Sequence, residues 1–176
     1  MLYRIATTDD AAPIAAVHVE SWRSTYVGLL PAGLLARLSV EARATYWKRQ
    51  LEDQQAANRT YICVVEDESG RVVGFASAGA EREPESGYDG ELFAIYLLAE
   101  QQGAGIGTEL VRRVVAHLLG RGHASMRVWV LAGNPAEKFY RRLGGVKVAE
   151  KPIEIGGDEY QEIAYGWRDL AGLTLG

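Results

Sequence analysis

A mixed α/β fold of the α+β kind, in one domain over residues 1–176, is predicted by three observations. The chain has 176 residues, 48% hydrophobic and 24% charged, which is enough for one substantial core and too few for two. Its periodic segments run strand, two helices, three strands, helix, strand, helix and terminal strands, without the regular alternation of a doubly wound parallel sheet. At the centre, from Gly90 to Leu119, an apolar strand passes through a glycine turn into an amphipathic helix.

Leu2 to Ala6 reads as the first strand, after which Thr7, Thr8, Asp9 and Asp10 offer capping oxygens to a helix with Pro13 in its first turn. Ile14, Val17, Ser21 and Thr25 share one stripe of that helix, with Trp22 and Tyr26 beside it. Pro31 to Leu38 reads as a connection or a short helical turn. Ser39 then caps a second helix, in which Val40, Ala44, Trp47 and Leu51 recur at helical spacing. Asp53 to Arg59 is expected to be polar linker. Tyr61 to Glu66 and Val72 to Gly79 flank a turn at Asp67 to Gly70 and form a hairpin.

Glu81 to Gly90 carries Glu81, Glu83, Glu85 and Asp89 against Arg82. It is either a solvated loop or an acidic patch that draws a cationic substrate toward a cleft. In the central helix Ile106, Leu110, Val111, Val114, Val115 and Leu118 make the apolar face, and Gly120 and Gly122 end it. Ser125 to Leu131 is the next strand, Asn134 and Pro135 open a helix through Leu143, and Gly144 and Gly145 stop it. Val146 to Ala149, Ile153 to Ile155 and Glu162 to Trp167 read as three short strands around a turn at Gly156 and Gly157.

With 19 basic and 23 acidic residues and a net charge of -4, broad contact with nucleic acid is not expected. Cys63 is the only cysteine and sits in an apolar run, as a buried strand thiol would. No leader and no apolar run of membrane-spanning length can be read, so a cytoplasmic protein without a membrane partner is expected. The sequon Asn58, Arg59, Thr60 would matter only in a secreted protein. His18, His117 and His123 have no ligand-like spacing, so no metal is expected, and Gly-x-Ser-x-Gly is absent.

The turn itself reads Gln102, Gly103, Ala104, Gly105, Ile106, Gly107. Its glycines allow a tight bend with exposed N–H groups, and the helix it opens adds unpaired N–H donors and a positive dipole end, so an anion such as phosphate should sit there. A Walker loop needs Gly-Lys-Ser/Thr and a dinucleotide loop needs G-x-G-x-x-G. Gly107 is followed instead by Thr108, Glu109 and Leu110, so neither ATP nor NAD is favoured. Gln102, Gly105 and Gly107 match Q/R-x-x-G-x-G/A, the acyl-CoA pyrophosphate loop of the GCN5-related N-acetyltransferase (GNAT) family, which the chain resembles. The run from Trp129 to Gly144, with Asn134, Ala136, Phe139 and Tyr140, is similar to a second signature of that family. Its departure is Gly145, where phenylalanine is usual.

The resemblance extends from Leu2 to Trp167 and implies a mixed, mostly antiparallel sheet splayed at two parallel strands, Leu92 to Leu97 and Met126 to Leu131. It implies acetyl-CoA as co-substrate, with pyrophosphate on the N–H groups of Gly103 to Thr108 and the thioester near Ile95, Tyr96 and Leu97. Asn134 would face the pantetheine arm, helix N-cap being its other role. Tyr140 would protonate the departing thiolate. Glu91 lies eleven residues ahead of Gln102, the offset at which the histone-acetylating branch keeps its general base; a plain strand-start glutamate is the alternative. Trp22 and Tyr26 would border the acceptor, unless they are simply core. The implied reaction moves acetyl directly to a primary amine of a small molecule or peptide. The same motifs would also serve a non-catalytic acyl-CoA-binding or regulatory domain, and the oligomeric state, a homodimer included, is left open.

Overall fold

In the computed structural model, which describes residues 1–57 and 59–175, seven strands form one mixed sheet flanked by helices. In chain order these are β1 (Leu2–Ile5), α1 (Ala11–Thr25), α2 (Ala32–Ala36), α3 (Val40–Ala57), β2 (Thr60–Glu66), β3 (Val72–Ala80), β4 (Gly90–Leu97), α4 (Ile106–Gly120), β5 (Met126–Leu131), α5 (Ala136–Arg142), β6 (Val146–Ile155) and β7 (Asp158–Trp167). The spatial order is β1-β2-β3-β4-β5-β7-β6.

β3 is buried from Val72 to Gly79 because both its faces are covered. α1 and α3 pack on the face that carries Phe75, where Trp47 meets the Phe75 ring edge at 4.9 Å. α4 packs on the other face, where His117 stacks on Tyr61 at 4.3 Å, and it buries Ile106, Leu110, Val111, Val114, Val115 and Leu118 as its periodicity predicts.

All strand pairs are antiparallel except β4 with β5, which pair only from Gly90 with Met126 to Leu92 with Val128. Beyond Leu92 the two strands separate, so the expected splay lies at the expected strands. A register shift between β3 and β4 at Ser77/Ala78 leaves Phe93 as an extra residue at the point where the separation begins.

Two expectations are corrected. Asp53 to Ala57 is not linker but the last turn and a half of α3. Its polar sequence hid a purpose: buried Gln54 donates to the Ala6 carbonyl at 2.9 Å and accepts from the Ile62 N–H, tying the helix to two strand ends. Asn58 of the sequon lies outside the described residues. The terminal segments are not three short strands but one hairpin of two ten-residue strands, β6 and β7. Pro152 and the charged residues of β6 mask its alternation, and both are tolerated because β6 is the sheet edge.

Candidate active site

A cavity of ≈ 980 Å³ occupies the splay and gathers residues from α1, β4, the glycine turn, β5, α5 and the β6–β7 hairpin. On the turn side, a short 3-10 turn over Ala99–Gln101 leads into Gly103 and Gly105, both at φ +81°. A side chain at either position would cost about 1 to 2 kcal/mol in that left-handed conformation. Gly107 is closely approached instead: a Cβ there would sit 3.3 Å from the Phe139 ring of α5, which would have to give by a few tenths of an ångström. Glu109 is the first residue of α4 whose N–H reaches a carbonyl across the helix start, that of Gly105 at 3.1 Å; Ile106, Gly107 and Thr108 ahead of it make no such bond. Gln102 braces the turn by donating to the Leu97 carbonyl at 3.2 Å. Lys138 and Arg142 of α5 also line the cavity and are the cations of its described wall.

Across the opening, Asn134 is 6% exposed and accepts the Ala136 N–H at 2.8 Å, so it does cap α5. Its side chain also neighbours the Tyr26 hydroxyl. Tyr140, 4% exposed, lines the cavity from α5. Burial, with the Tyr96 phenol adding to it, pushes its own phenol well above the ordinary value, so it stays protonated at neutral pH. Behind it stand Tyr165 at 6.1 Å and Trp167 at 6.2 Å. Trp167 explains Gly145. A Cβ at residue 145 would lie 2.7 Å from Trp167 Cζ2 and 2.9 Å from the Tyr140 carbonyl, so the aromatic expected at 145 is replaced by one from β7.

β4 contributes Ile95, Tyr96 and Leu97 to the cavity, and α1 contributes Trp22, with Tyr26 just past its end. Trp22 Nε1 donates to the Tyr96 hydroxyl at 2.9 Å. Tyr26 is 7% exposed and belongs to a small apolar cluster with Leu30, Leu35 and Leu131, so it is core and cavity wall at once. His18 stacks on Tyr96 at 4.7 Å and accepts from Trp47 Nε1 at 3.1 Å. Burial, with the nearby Arg43 guanidinium adding to it, holds its pKa at about 3, so it is a neutral support beneath the tyrosine.

The acidic stretch is a partly exposed loop, as one of the two expectations has it, but most of its carboxylates are paired and do not form a free patch. Glu81 is buried and takes two bonds from Arg127 at 2.7 and 2.8 Å. Glu83 pairs with Arg127 and with Lys151. Asp89 accepts from the Ala124 and Ser125 N–H groups and the Ser125 hydroxyl. Glu85 remains exposed.

Glu91 is corrected in the same way. It is 1% exposed, it is absent from the cavity wall, and its carboxylate takes the Arg82 backbone N–H at 3.3 Å and Arg82 Nε at 3.0 Å. The structure therefore gathers every sequence-derived residue except Glu91 and the turn's Ala104 and Ile106 onto one cavity wall. Glu162 of β7, which the sequence reading did not single out, is the one carboxylate among the described residues lining the cavity. Only the alternation of β7, visible once the strand is known to start at Asp158, would have turned it inward. Among the described residues, no group of three or more His, Cys, Asp or Glu could hold a metal. No described helix is long and apolar enough to cross a membrane.

The model of the acetyltransferase (GNAT) family matches residues 20–145. A Bacillus subtilis (strain 168) protein named "Uncharacterized N-acetyltransferase YuaI" is 42% identical over 97% of this chain and 94% of its own length. An "L-methionine sulfoximine/L-methionine sulfone acetyltransferase" of Pseudomonas paraeruginosa is 32% identical over 70% of this chain and 69% of its own. Among solved structures, an N-acetyltransferase from Staphylococcus aureus Mu50 shares the fold at TM-score 0.72 and 21% identity, covering 96% of this chain and 98% of that one. The PaiA N-acetyltransferase of Thermoplasma acidophilum, crystallised with coenzyme A, shares it at TM-score 0.70 and 17% identity, covering 95% and 100%. With the glycine turn, the splayed strands and the Asn134 to Tyr140 signature on one cavity, this chain belongs to the acetyltransferase (GNAT) family and is an acetyl-CoA-dependent N-acetyltransferase.

Proposed function

We propose that the enzyme moves acetyl directly from the thioester to the primary amine of a small molecule, in one ternary complex and without an acyl-enzyme. The observation that carries this reading is the coincidence of three features on one cavity: unpaired N–H groups at the α4 start, separated edges of β4 and β5, and the buried Tyr140 phenol. The pyrophosphate rests on the N–H groups of Gly103 to Thr108, with Lys138 and Arg142 nearby. The pantetheine arm lies along β4 at Ile95 to Leu97, where its amides meet a strand edge that β5 has left, and Asn134 faces it. Tyr140 donates its proton to the sulfur as the C–S bond breaks.

A small acceptor fits the aromatic walls of Trp22, Tyr26, Phe93 and Trp129. The relative named for L-methionine sulfoximine and L-methionine sulfone makes α-amino acid analogues the first acceptors to try. We place the reaction in the cytoplasm, where the buried Cys63 thiol stays reduced. The test is thiol release from acetyl-CoA with L-methionine sulfone, L-methionine sulfoximine, n-butylamine, spermidine and a peptide with a free N-terminus. Turnover of a small amine is expected. Coenzyme A binding without turnover of any of them would replace this reading with a non-catalytic one.

A further inference from the structure

We propose that Glu162 is the carboxylate that receives the acceptor's ammonium group and takes its proton before attack, which makes the acceptor a cationic primary amine. The assignment rests on the acyl-transfer reading above and supplies the base that Glu91 does not. Glu162 is the only carboxylate on the described cavity wall, and its side chain is 14% exposed. The cations of that wall, Lys138 and Arg142, are on α5, whose Phe139 ring meets Gly107 of the phosphate turn. The cavity thus offers positive charge where phosphate belongs and negative charge where an amine belongs.

Strand register fixes the face. Leu131 pairs with Glu162 and Glu162 with Lys151, so the three form one cross-strand row. Tyr165 and Trp167 are out of phase with Glu162 along β7, and they back Tyr140 from the opposite side of the sheet. Base and acid therefore stand on the two faces of the opening, so the amine approaches from one and the sulfur departs toward the other.

The charges around Glu162 leave it unsatisfied. Glu81 and Glu91 are each gripped by an arginine at 3.0 Å or less. The nearest cation to Glu162 is Lys151 of β6 at 3.6 Å, and Lys151 is shared with Glu83 and rests 4.2 Å above the Trp129 ring. Glu81, Glu83 and Glu162 face Arg127 and Lys151, three carboxylates against two cations; Arg82 approaches from the loop but is committed to Glu91. Burial raises the Glu162 carboxyl above the ordinary range, the Lys151 ammonium works against this, Glu83 adds to it, and Arg82 opposes it. An incoming ammonium supplies the missing positive charge.

The step balances. The ammonium gives one proton to Glu162, which passes it to solvent. The neutral nitrogen attacks the thioester carbon, the C–N bond forms and the C–S bond breaks. The nitrogen sheds a second proton, and one proton ends on the thiol of coenzyme A by way of Tyr140. An alkyl amine with pKa near ~10.4 is overwhelmingly protonated at neutral pH, and an α-amino group with pKa near ~8 is mostly so, so the first transfer serves both, and more strongly the alkyl amine.

The test compares Glu162→Gln and Glu162→Asp with the parent, using n-butylamine and L-methionine sulfone as acceptors. At pH 7 Glu162→Gln should lose about 100-fold or more in kcat/KM, with Glu162→Asp recovering part of it and acetyl-CoA affinity unchanged. Toward pH ~10, where free amine is abundant, the Gln variant should converge on the parent. A structural role would lower the rate equally at all pH values, and that result, or an unchanged rate at pH 7, overturns the assignment. A second arm needs no turnover. In the intact protein saturated with coenzyme A and labelled with ¹³C-glutamate, the Glu162 carboxyl, identified by its loss in Glu162→Gln, should respond to n-butylammonium chloride. A silent carboxyl overturns the assignment, whereas a parent that binds acetyl-CoA and acetylates nothing counts against the acyl-transfer reading.

Discussion

Removing only the hydroxyl of Tyr140 separates chemistry from packing at this site. In Tyr140→Phe the ring keeps its contacts with Phe139, Tyr165 and Trp167. No described residue hydrogen-bonds the hydroxyl, so the usual ~0.5 to 1.5 kcal/mol of such a bond is not lost, and Tm should stay within about 2 °C of the parent. The leaving thiolate has a pKa near ~8.5 and needs less help than an alkoxide, which puts the effect at the lower end of general acid catalysis. The expected fall in kcat is about 10- to 100-fold, or about 1.4 to 2.7 kcal/mol, with acetyl-CoA affinity unchanged. Neighbouring phenols are poor substitutes: Tyr165 is held between Glu137 at 2.7 Å and Arg141 at 2.9 Å, and Tyr96 by Trp22. The assay is thiol release at saturating cofactor with a working acceptor, under conditions where a pre-steady-state burst is absent. An unchanged kcat there would mean that Tyr140 only packs and that water protonates the sulfur.

Gly105→Asp puts a side chain on a left-handed φ, which costs the fold ~1 to 2 kcal/mol, and a negative charge where the pyrophosphate is expected, so calorimetry should find acetyl-CoA affinity reduced about 10- to 100-fold by the loss of a charge-assisted bond. Tight binding by that variant would remove the turn from the site. Gly145→Ala forces a Cβ against Trp167 and the Tyr140 carbonyl, and denaturant unfolding should register about 1 to 3 kcal/mol of destabilisation. His18 is buried and neutral with a pKa of about 3. The unfolded chain therefore binds a proton that the folded chain refuses below pH ~6.5, and stability falls with acidification from there toward pH ~3 by up to ~1.4 kcal/mol per pH unit. His18→Gln should flatten that slope in a Tm series against pH.

Legibility of the chain followed the range of the forces involved. The glycine turn and the Asn134 to Tyr140 helix could be read because backbone geometry and capping act over a few residues, and the structure joins them on one cavity. Apolar periodicity likewise placed α1, α4 and the β2–β3 hairpin close to their true bounds. Gln54 and Glu162 were invisible for the opposite reason: their partners are brought up by the topology, from residues 6 and 62 in one case and from another strand in the other. Glu91 shows the hazard of offset alone. Its position eleven residues before Gln102 is matched, but Arg82, nine residues away along the chain, has turned it into half of an ion pair. The acidic loop misled similarly, since composition counts carboxylates and cannot count the Arg127, Lys151 and Ser125 groups that occupy them.

The insertion of β7 between β5 and β6 reaches back to how the protein is made. Both flanking strands leave the ribosome before β7 does. Until β7 arrives, β5 has a bare edge on its outer side and β6 has no partner at all. Those open edges are templates for pairing with another nascent chain. β7 also carries Glu162, which lines the cavity, and Tyr165 and Trp167, which stand behind Tyr140, so this part of the cavity's surroundings is completed by the same late event. A chain that ends after β6 would carry the glycine turn and Tyr140 but lack Glu162 and the Tyr165 and Trp167 rings behind Tyr140.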